Sequence, residues 1–473
     1  MLALATAAAL AVPAVAAAQP ATGRVVAPHG APGIGDPYFP LDGNGGIDVL
    51  SYDVHDRYRF AEGRLSGWTA VRLRATEGLS GFDLDFLLPV RTVEVDGRRV
   101  RFDQDRFHEL DVHRRLEAGE TVRLVVRYSG RPGRYAYGGE RNWLASRHEV
   151  VAMNQPHMAP WWFPANDHPL DRAQVRLSIT VPRTMQVVAN GRQVHREVRR
   201  RLATTTWRAD EPMVPYLAFF AAGSFQVARG RADGRSWLAA VSRALPSATQ
   251  QESMRLMKRT PQLLRWLEDV VGHYPFSVTG GLTTSLDVGF ALENQTRPTY
   301  PRMGDGTGAV KTVVHELAHQ WFGDSVAVRG WKDIWLNEGA ATFFEAYYDE
   351  THGGQRADEW LREGYDRDAD DPFWRHEVAD PCPSHQRCVG SIFDGFVYER
   401  GGMTLQALRN RIGDDDFFAL LRRWVADHRG GNGSTPEFEA LAEEVSGQDL
   451  DAFFDAWLHE ASRPASTAEN GLD

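Results

Sequence analysis

The chain has 473 residues, enough for two or three domains rather than a single core, and 42% of them are hydrophobic. Its formal net charge is −10. That balance, with no basic stripe interleaved with aromatics, argues against nucleic acid as a partner.

Residues 1–20 form an Ala, Leu and Val run that closes on Ala16-Ala17-Ala18 before Gln19. This reads as a secretory signal over residues 1–18, although no basic residue precedes Arg24. The reading implies an exported protein, secreted or periplasmic, with 19–44 as a leader or linker. Pro13 interrupts the run and no other apolar stretch has spanning length, so no stable membrane insertion is expected after the signal is removed.

Residues 45–235 read as a β domain. Alternating segments at 47–52, 70–73, 82–86, 121–128, 175–181 and 216–220 predict strands with few helical periods between them. Asn190-Gly191 is a hairpin-turn signal, and Arg199-Arg200-Arg201 reads as a solvated turn of a second hairpin. The expected form is an antiparallel saddle or sandwich. From 236 to 462 the period changes, so the fold class is α+β with a mainly helical second domain. Helices are predicted over 254–271, 357–365, 398–411, 415–427, 436–445 and 450–458, with strands at 282–286 and 289–292. Residues 463–473 read as a disordered tail. Cys382 and Cys388, the only cysteines, lie in one loop. In an exported chain they read as a local disulfide, and the alternative is a second metal site built with His385.

The most informative stretch is His315-Glu316-Leu317-Ala318-His319, followed after eighteen residues by Glu338. Residues four apart share a helix face, so His315 and His319 present two imidazoles to one point. Glu316 lies one residue along, flanking that point as a general base for water. Catalytic zinc takes three protein ligands and leaves one position open, and two His with one Glu is a known set. Glu338 is the third ligand, at the entry of a second buried amphipathic helix. Asp324 and Asp333 are candidates for orienting the imidazoles, or else for capping. Trp161, Trp162, Trp321, Trp331 and Trp335 are read as core.

Four separated segments carry a family resemblance: 315–323, Trp335-Leu336-Asn337-Glu338-Gly339, Ala291-Leu292-Glu293-Asn294 and Tyr398-Glu399-Arg400-Gly401-Gly402. With residues 162–169 of the β region, they make the chain resemble the aminopeptidase N and leukotriene epoxide hydrolase family, the gluzincin branch of zinc peptidases. The resemblance implies a thermolysin-like catalytic domain, one zinc ion and peptide substrates with a free N-terminus. It also implies a short form without the family's long C-terminal helical domain. By the same resemblance Tyr398 donates to the oxyanion. Glu293 holds the substrate's amino group, helped by Gln155 from the β domain, and the segment containing Ala291 pairs with the substrate backbone. Phe290 and Leu292 depart from the family's Gly and Met, and Pro160 stands where many relatives have Arg. Two other functions fit the same residues: a zinc hydrolase of epoxides or esters, and a silent binding protein, whose mark would be a broken ligand set.

Overall fold

The structure is a computed structural model and describes residues 27–105, 108–304 and 306–472. The expected signal at 1–18 and the start of the leader lie outside the described residues.

The strand Ile47–Arg59 organises the N-terminal half. It pairs antiparallel with Arg64–Ala75 and parallel with Gln174–Pro182 at the centre of a nine-stranded sheet. That parallel pair corrects the purely antiparallel expectation. Ile47 and Val49 face the core at odd positions, and Tyr52, Val54 and Tyr58 face it at even ones. A register shift between Val49 and Ser51 resets the phase, because one extra residue in a strand swaps which face each later side chain takes. The edge strand Arg192–Arg199 is exposed throughout and rich in charge, which blunts edge-to-edge pairing. Arg200-Arg201 turns it back into Leu202–Arg208, as the basic run predicted.

Asn190-Gly191 is not a hairpin turn. The strand before it, Gln186–Ala189, pairs with Phe220–Gly223 in a separate four-stranded sheet, while the strand after it joins the nine-stranded one. The Asn190 amide is committed elsewhere: it donates to the carbonyls of Leu217 and Gln295 and accepts from Phe219 N. Gly191 keeps the positive φ that the motif signals, and a Cβ there would meet the Arg208 carbonyl at 2.1 Å. Residues 216–220 also differ from expectation. A 3-10 turn at Pro215–Leu217, set by the Pro, leads into the strand Phe220–Gly223. Residues 82–86 are extended and pair with 108–112 through bridges rather than as a regular strand.

A second four-stranded sheet joins the halves: Phe225–Ala232, Arg235–Ser242, Val278–Thr283 and Thr299–Tyr300. Along Arg235–Ser242, Leu238 and Ala240 enter the β core while Ala239 and Val241 enter the helical core. This follows from the two-residue period of a strand. Residues 289–292, expected as a strand, contribute only a bridge from Leu292 to Thr299. The helical stretch expected at 254–271 is split into Ser247–Met257 and Thr260–Val271. The later helices are Ala357–Tyr365, Gly395–Ile412, Asp414–Asp427 and Thr435–Ser446, close to their predicted bounds.

Described leader residues are part of the body. Tyr38 and Phe39 are buried in the helical core, and Asp36 accepts from Trp331 N at 2.9 Å. The tail is likewise packed rather than disordered: Leu472 is buried, its carbonyl accepts from Arg362, and Gly471 O accepts from Asn410. Two more contacts clamp the halves together. Arg172 donates to the carbonyls of Asp324, Ser325 and Gly431, and the buried Glu149 accepts from Ser242, Thr284 and Ser285. Cys382 and Cys388 form a disulfide, which removes both thiols from any metal site with His385.

Candidate metal centre

The helix Thr307–Ala318 buries Val310, Val313, Val314 and Leu317 and carries His315 in its last turn, with His319 as its C-cap residue. The helix Trp335–Thr351 packs beside it and supplies Glu338 from its first turn. Glu338 Oε2 lies 3.5 Å from His315 Nε2 and 3.3 Å from His319 Nε2. Tetrahedral zinc with ligands at 2.0–2.1 Å has ligand-to-ligand edges of about 3.3 Å, so these separations fit the ion.

Each imidazole is turned by its other nitrogen. His319 Nδ1 is 3.0 Å from the Phe322 carbonyl, which only accepts, so Nδ1 carries the proton and Nε2 keeps its lone pair for a cation. His315 Nδ1 donates to Glu345 Oε1 at 2.8 Å. These orienting places, proposed for Asp324 and Asp333, are therefore filled by Phe322 and Glu345. Asp333 instead accepts from the backbone and hydroxyl of Thr435. Glu345 was legible in principle, since it stands seven residues after Glu338 and so shares its helix face.

The field of the centre calls for positive charge. Burial opposes ionisation of Glu338, but His319 and His315 outweigh it and bring the carboxyl down to about 2. Burial also opposes charging His319, yet Glu338 and Glu293 lift it to about 9. Glu316 is buried beside the ligands with Oε2 unpaired; burial, partly offset by both imidazoles, pushes it up to about 8.

Tyr398 reaches the centre from the helix Gly395–Ile412, its ring stacked on His315 at 6.1 Å between centroids. Burial, then Glu338, Glu293 and Glu316, hold its phenol well above its ordinary value, so it stays a donor. Gly339 and Gly401 let the two helices touch. A Cβ on Gly339 would meet Gly401 C at 2.7 Å, so side chains there would push Tyr398 away. The neighbouring Arg400 is buried and donates to the carbonyls of Trp374, His376, Ala456, Glu460 and Ser462, which fixes the end of the domain around this helix.

Glu293 is buried and accepts from Tyr216 OH at 2.9 Å. Burial raises its carboxyl, His319 opposes and Glu338 adds, which places it in the electrostatic company of the centre. Gln320, directly after the second ligand, donates to Glu293 O and accepts from Thr296 N, tying that segment to the ligand helix. Tyr216 and Gln320 were not singled out from sequence. Ala291 is half-buried against the helical core. Gln155 is buried in the loop after Val150–Ala152 with its amide nitrogen unpaired, and among the described residues no hydrogen bond joins its side chain to the centre.

Residues 288–457 match the model of the peptidase family M1 domain. Aminopeptidase N of Lactococcus lactis subsp. lactis is 24% identical over 416 residues, 81% of this chain and 47% of the relative. Human glutamyl aminopeptidase is 26% identical over 336 residues, 67% of this chain and 34% of that one. The chain thus spans half or less of the length of these curated relatives. Among solved structures, an M1 zinc metallopeptidase mutant from Deinococcus radiodurans, bound to a Tyr-Ser-Ala substrate, superposes with a TM-score of 0.81. The identity is 28%, covering 92% of this chain and 100% of the other. Residues 288–457 thus carry a peptidase family M1 domain, and the two-part architecture is shared with solved M1 zinc metallopeptidases.

Proposed function

We propose that the chain is a zinc-dependent aminopeptidase that removes residues from the free N-terminus of peptides. The observation that carries this is the buried Glu293 carboxylate, which accepts from Tyr216 OH beside the three-ligand centre while Gln320 holds the Glu293 backbone carbonyl, so the carboxylate can pair with a substrate ammonium. The relatives' aminopeptidase activities and the tripeptide substrate of the Deinococcus protein support peptides as the substrate class.

His315, His319 and Glu338 hold one zinc at this centre. When bound, it polarises the scissile carbonyl and lowers the pKa of water. Glu316 takes the proton of the attacking water and later delivers it to the leaving amine. Tyr398 donates to the oxyanion of the tetrahedral intermediate as charge develops there. Glu293 holds the α-ammonium, Gln155 assists from the β domain, and the segment through Ala291 lies along the substrate backbone. The disulfide supports an oxidising compartment, and we place the protein outside the cytoplasm, secreted or periplasmic. No helix among the described residues is long and apolar enough to cross a membrane.

The test is a panel of aminoacyl chromogenic amides and short peptides, each free and N-acetylated, with and without chelator. Cleavage of the free forms alone, abolished by chelation, is the expected result. Equal cleavage of acetylated peptides overturns the aminopeptidase reading. Hydrolysis of esters or epoxides that survives Glu293→Ala replaces it with another zinc hydrolase.

A further inference from the structure

A second group of ligand-type side chains lies in the N-terminal half. The antiparallel register of residues 82–86 against 108–112 sets Asp85 directly opposite Glu109. Like charges facing each other across a strand pair are destabilising unless something positive lies between them. What lies there is the imidazole of His108, with Nε2 3.2 Å from Asp85 Oδ1 and Nδ1 3.7 Å from Glu109 Oε1.

These atoms have no other use. Both His108 nitrogens, Asp85 Oδ1 and both Glu109 carboxylate oxygens are buried without a hydrogen-bond partner. The imidazole is 1% exposed and the Asp85 side chain 0%. Even a protonated imidazole balances only one of the two carboxylates. Burial, with Asp85 opposite, pushes the Glu109 carboxyl up to about 10, so it gives up its charge unless a cation takes the proton's place. Among the described residues, no hydrogen bond or ion pair joins Asp85 or Glu109 to an Arg or Lys. Uncompensated buried charge of this kind is costly.

The surroundings aim the donors inward. Asp85 Oδ2 accepts from Asn44 Nδ2 at 3.1 Å and Asp167 N at 2.6 Å, which leaves Oδ1 facing His108. The His108 ring is stacked on Tyr137, with centroids 3.8 Å apart. One ligand atom each from Asp85, His108 and Glu109 lies within 4.8 Å of the other two. Outer hydrogen bonds that fix the orientation of the ligands are a regular part of metal sites.

We propose that Asp85, His108 and Glu109 hold a second divalent cation of the zinc class, which pins 82–86 to 108–112 and to the turn at Asp167. The donor set selects the ion. Calcium takes six to eight oxygens, whereas one imidazole with two carboxylates suits zinc and its neighbours. The 3.2 Å between His108 Nε2 and Asp85 Oδ1 is close to the edge of about 3.3 Å in a zinc tetrahedron, and Glu109, 3.7 Å from Nδ1, has to swing toward Nε2 to complete the set. Burial of His108 and Asp85 makes the ion structural rather than catalytic.

The full-length protein is equilibrated with zinc, exchanged into metal-free buffer and assayed for zinc by mass spectrometry. The wild type is expected to retain two equivalents. His319→Ala, which dismantles the catalytic centre, retains one, and zinc alone added to its stripped form binds one equivalent and raises Tm. Glu109→Gln loses one equivalent and keeps kcat. Retention of one equivalent by the wild type and none by His319→Ala overturns the proposal, as does retention of two by both Glu109→Gln and Asp85→Asn. If the sheet variants fail to fold by circular dichroism, the zinc titration of His319→Ala decides alone.

Discussion

The two imidazole and carboxylate groups stand on opposite kinds of scaffold. In the catalytic half the donors come from two packed helices. The four-residue spacing of His315 and His319 converges two nitrogens, and the intervening turn leaves Glu316 next to them but outside the ligand set. In the N-terminal half the donors are cross-strand neighbours closed in by the sheet. The imidazoles differ in exposure, with 12% of the His315 side chain reaching solvent against 1% of His108. Helical spacing builds a site with a working side. Strand pairing builds one that only holds.

The sharpest break of this comparison is Glu316→Gln. Loss of a general acid–base group costs about 10²- to 10⁴-fold in rate. The variant is expected to lose that much kcat while binding zinc at wild-type stoichiometry. Normal turnover in the zinc-loaded variant removes the base from the mechanism, and with it the distinction between a working and a holding cluster. Tyr398→Phe comes next, with kcat down about 10²- to 10³-fold and KM little changed, because its hydrogen bond is made as the oxyanion forms. A loss confined to KM would instead make Tyr398 a substrate-binding group.

Legibility in the sequence followed the same division. His315, Glu316, His319 and Glu338 could be read because helix period and metal-ligand spacing are local facts about the chain. Glu293 and Tyr398 came only by resemblance, since a lone Glu after a short apolar segment and a helix Tyr carry no local mark of the centre. Glu345 stands at a helical offset from Glu338, but an acid on a helix face carries no mark of the imidazole it meets. Tyr216 and Gln320 depend on how residues 293–296 fold against the ligand helix, which no period reports. The β half was readable as strands but not as a pairing map. Asn190-Gly191 has the backbone of a turn, yet its side chain is spent on Leu217, Phe219 and Gln295, and the chain passes between sheets there. The leader and the tail read as polar and loose, but single buried groups, Asp36 and Leu472, tie each to the body.

Glu345→Ala tests how far orientation of a ligand matters. Removing a carboxylate that holds a metal-bound imidazole lowers metal affinity about 10- to 100-fold. Zinc is expected to leave the variant at correspondingly lower chelator concentrations, with kcat restored at saturating zinc. Glu345→Gln, which keeps an acceptor for His315 Nδ1, should recover part of the affinity. Unchanged zinc affinity in both variants would mean that helix packing alone sets the imidazole.

The smallest effect is expected at Asn44→Ala, which removes the donor that turns Asp85. A buried hydrogen bond to a charged group contributes about 1.5–3 kcal/mol. The variant should unfold at lower temperature while kcat/KM stays within twofold of wild type, because Asn44 supports the sheet cluster alone. In a His319→Ala background, where the catalytic centre is absent, the drop in Tm should be larger with zinc than in chelator, since the misdirected Asp85 then also weakens the ion. An equal drop in both conditions makes Asn44 a packing residue with no bearing on a cation. A fall in kcat/KM beyond twofold would join the two clusters into one functional unit and end the division between them.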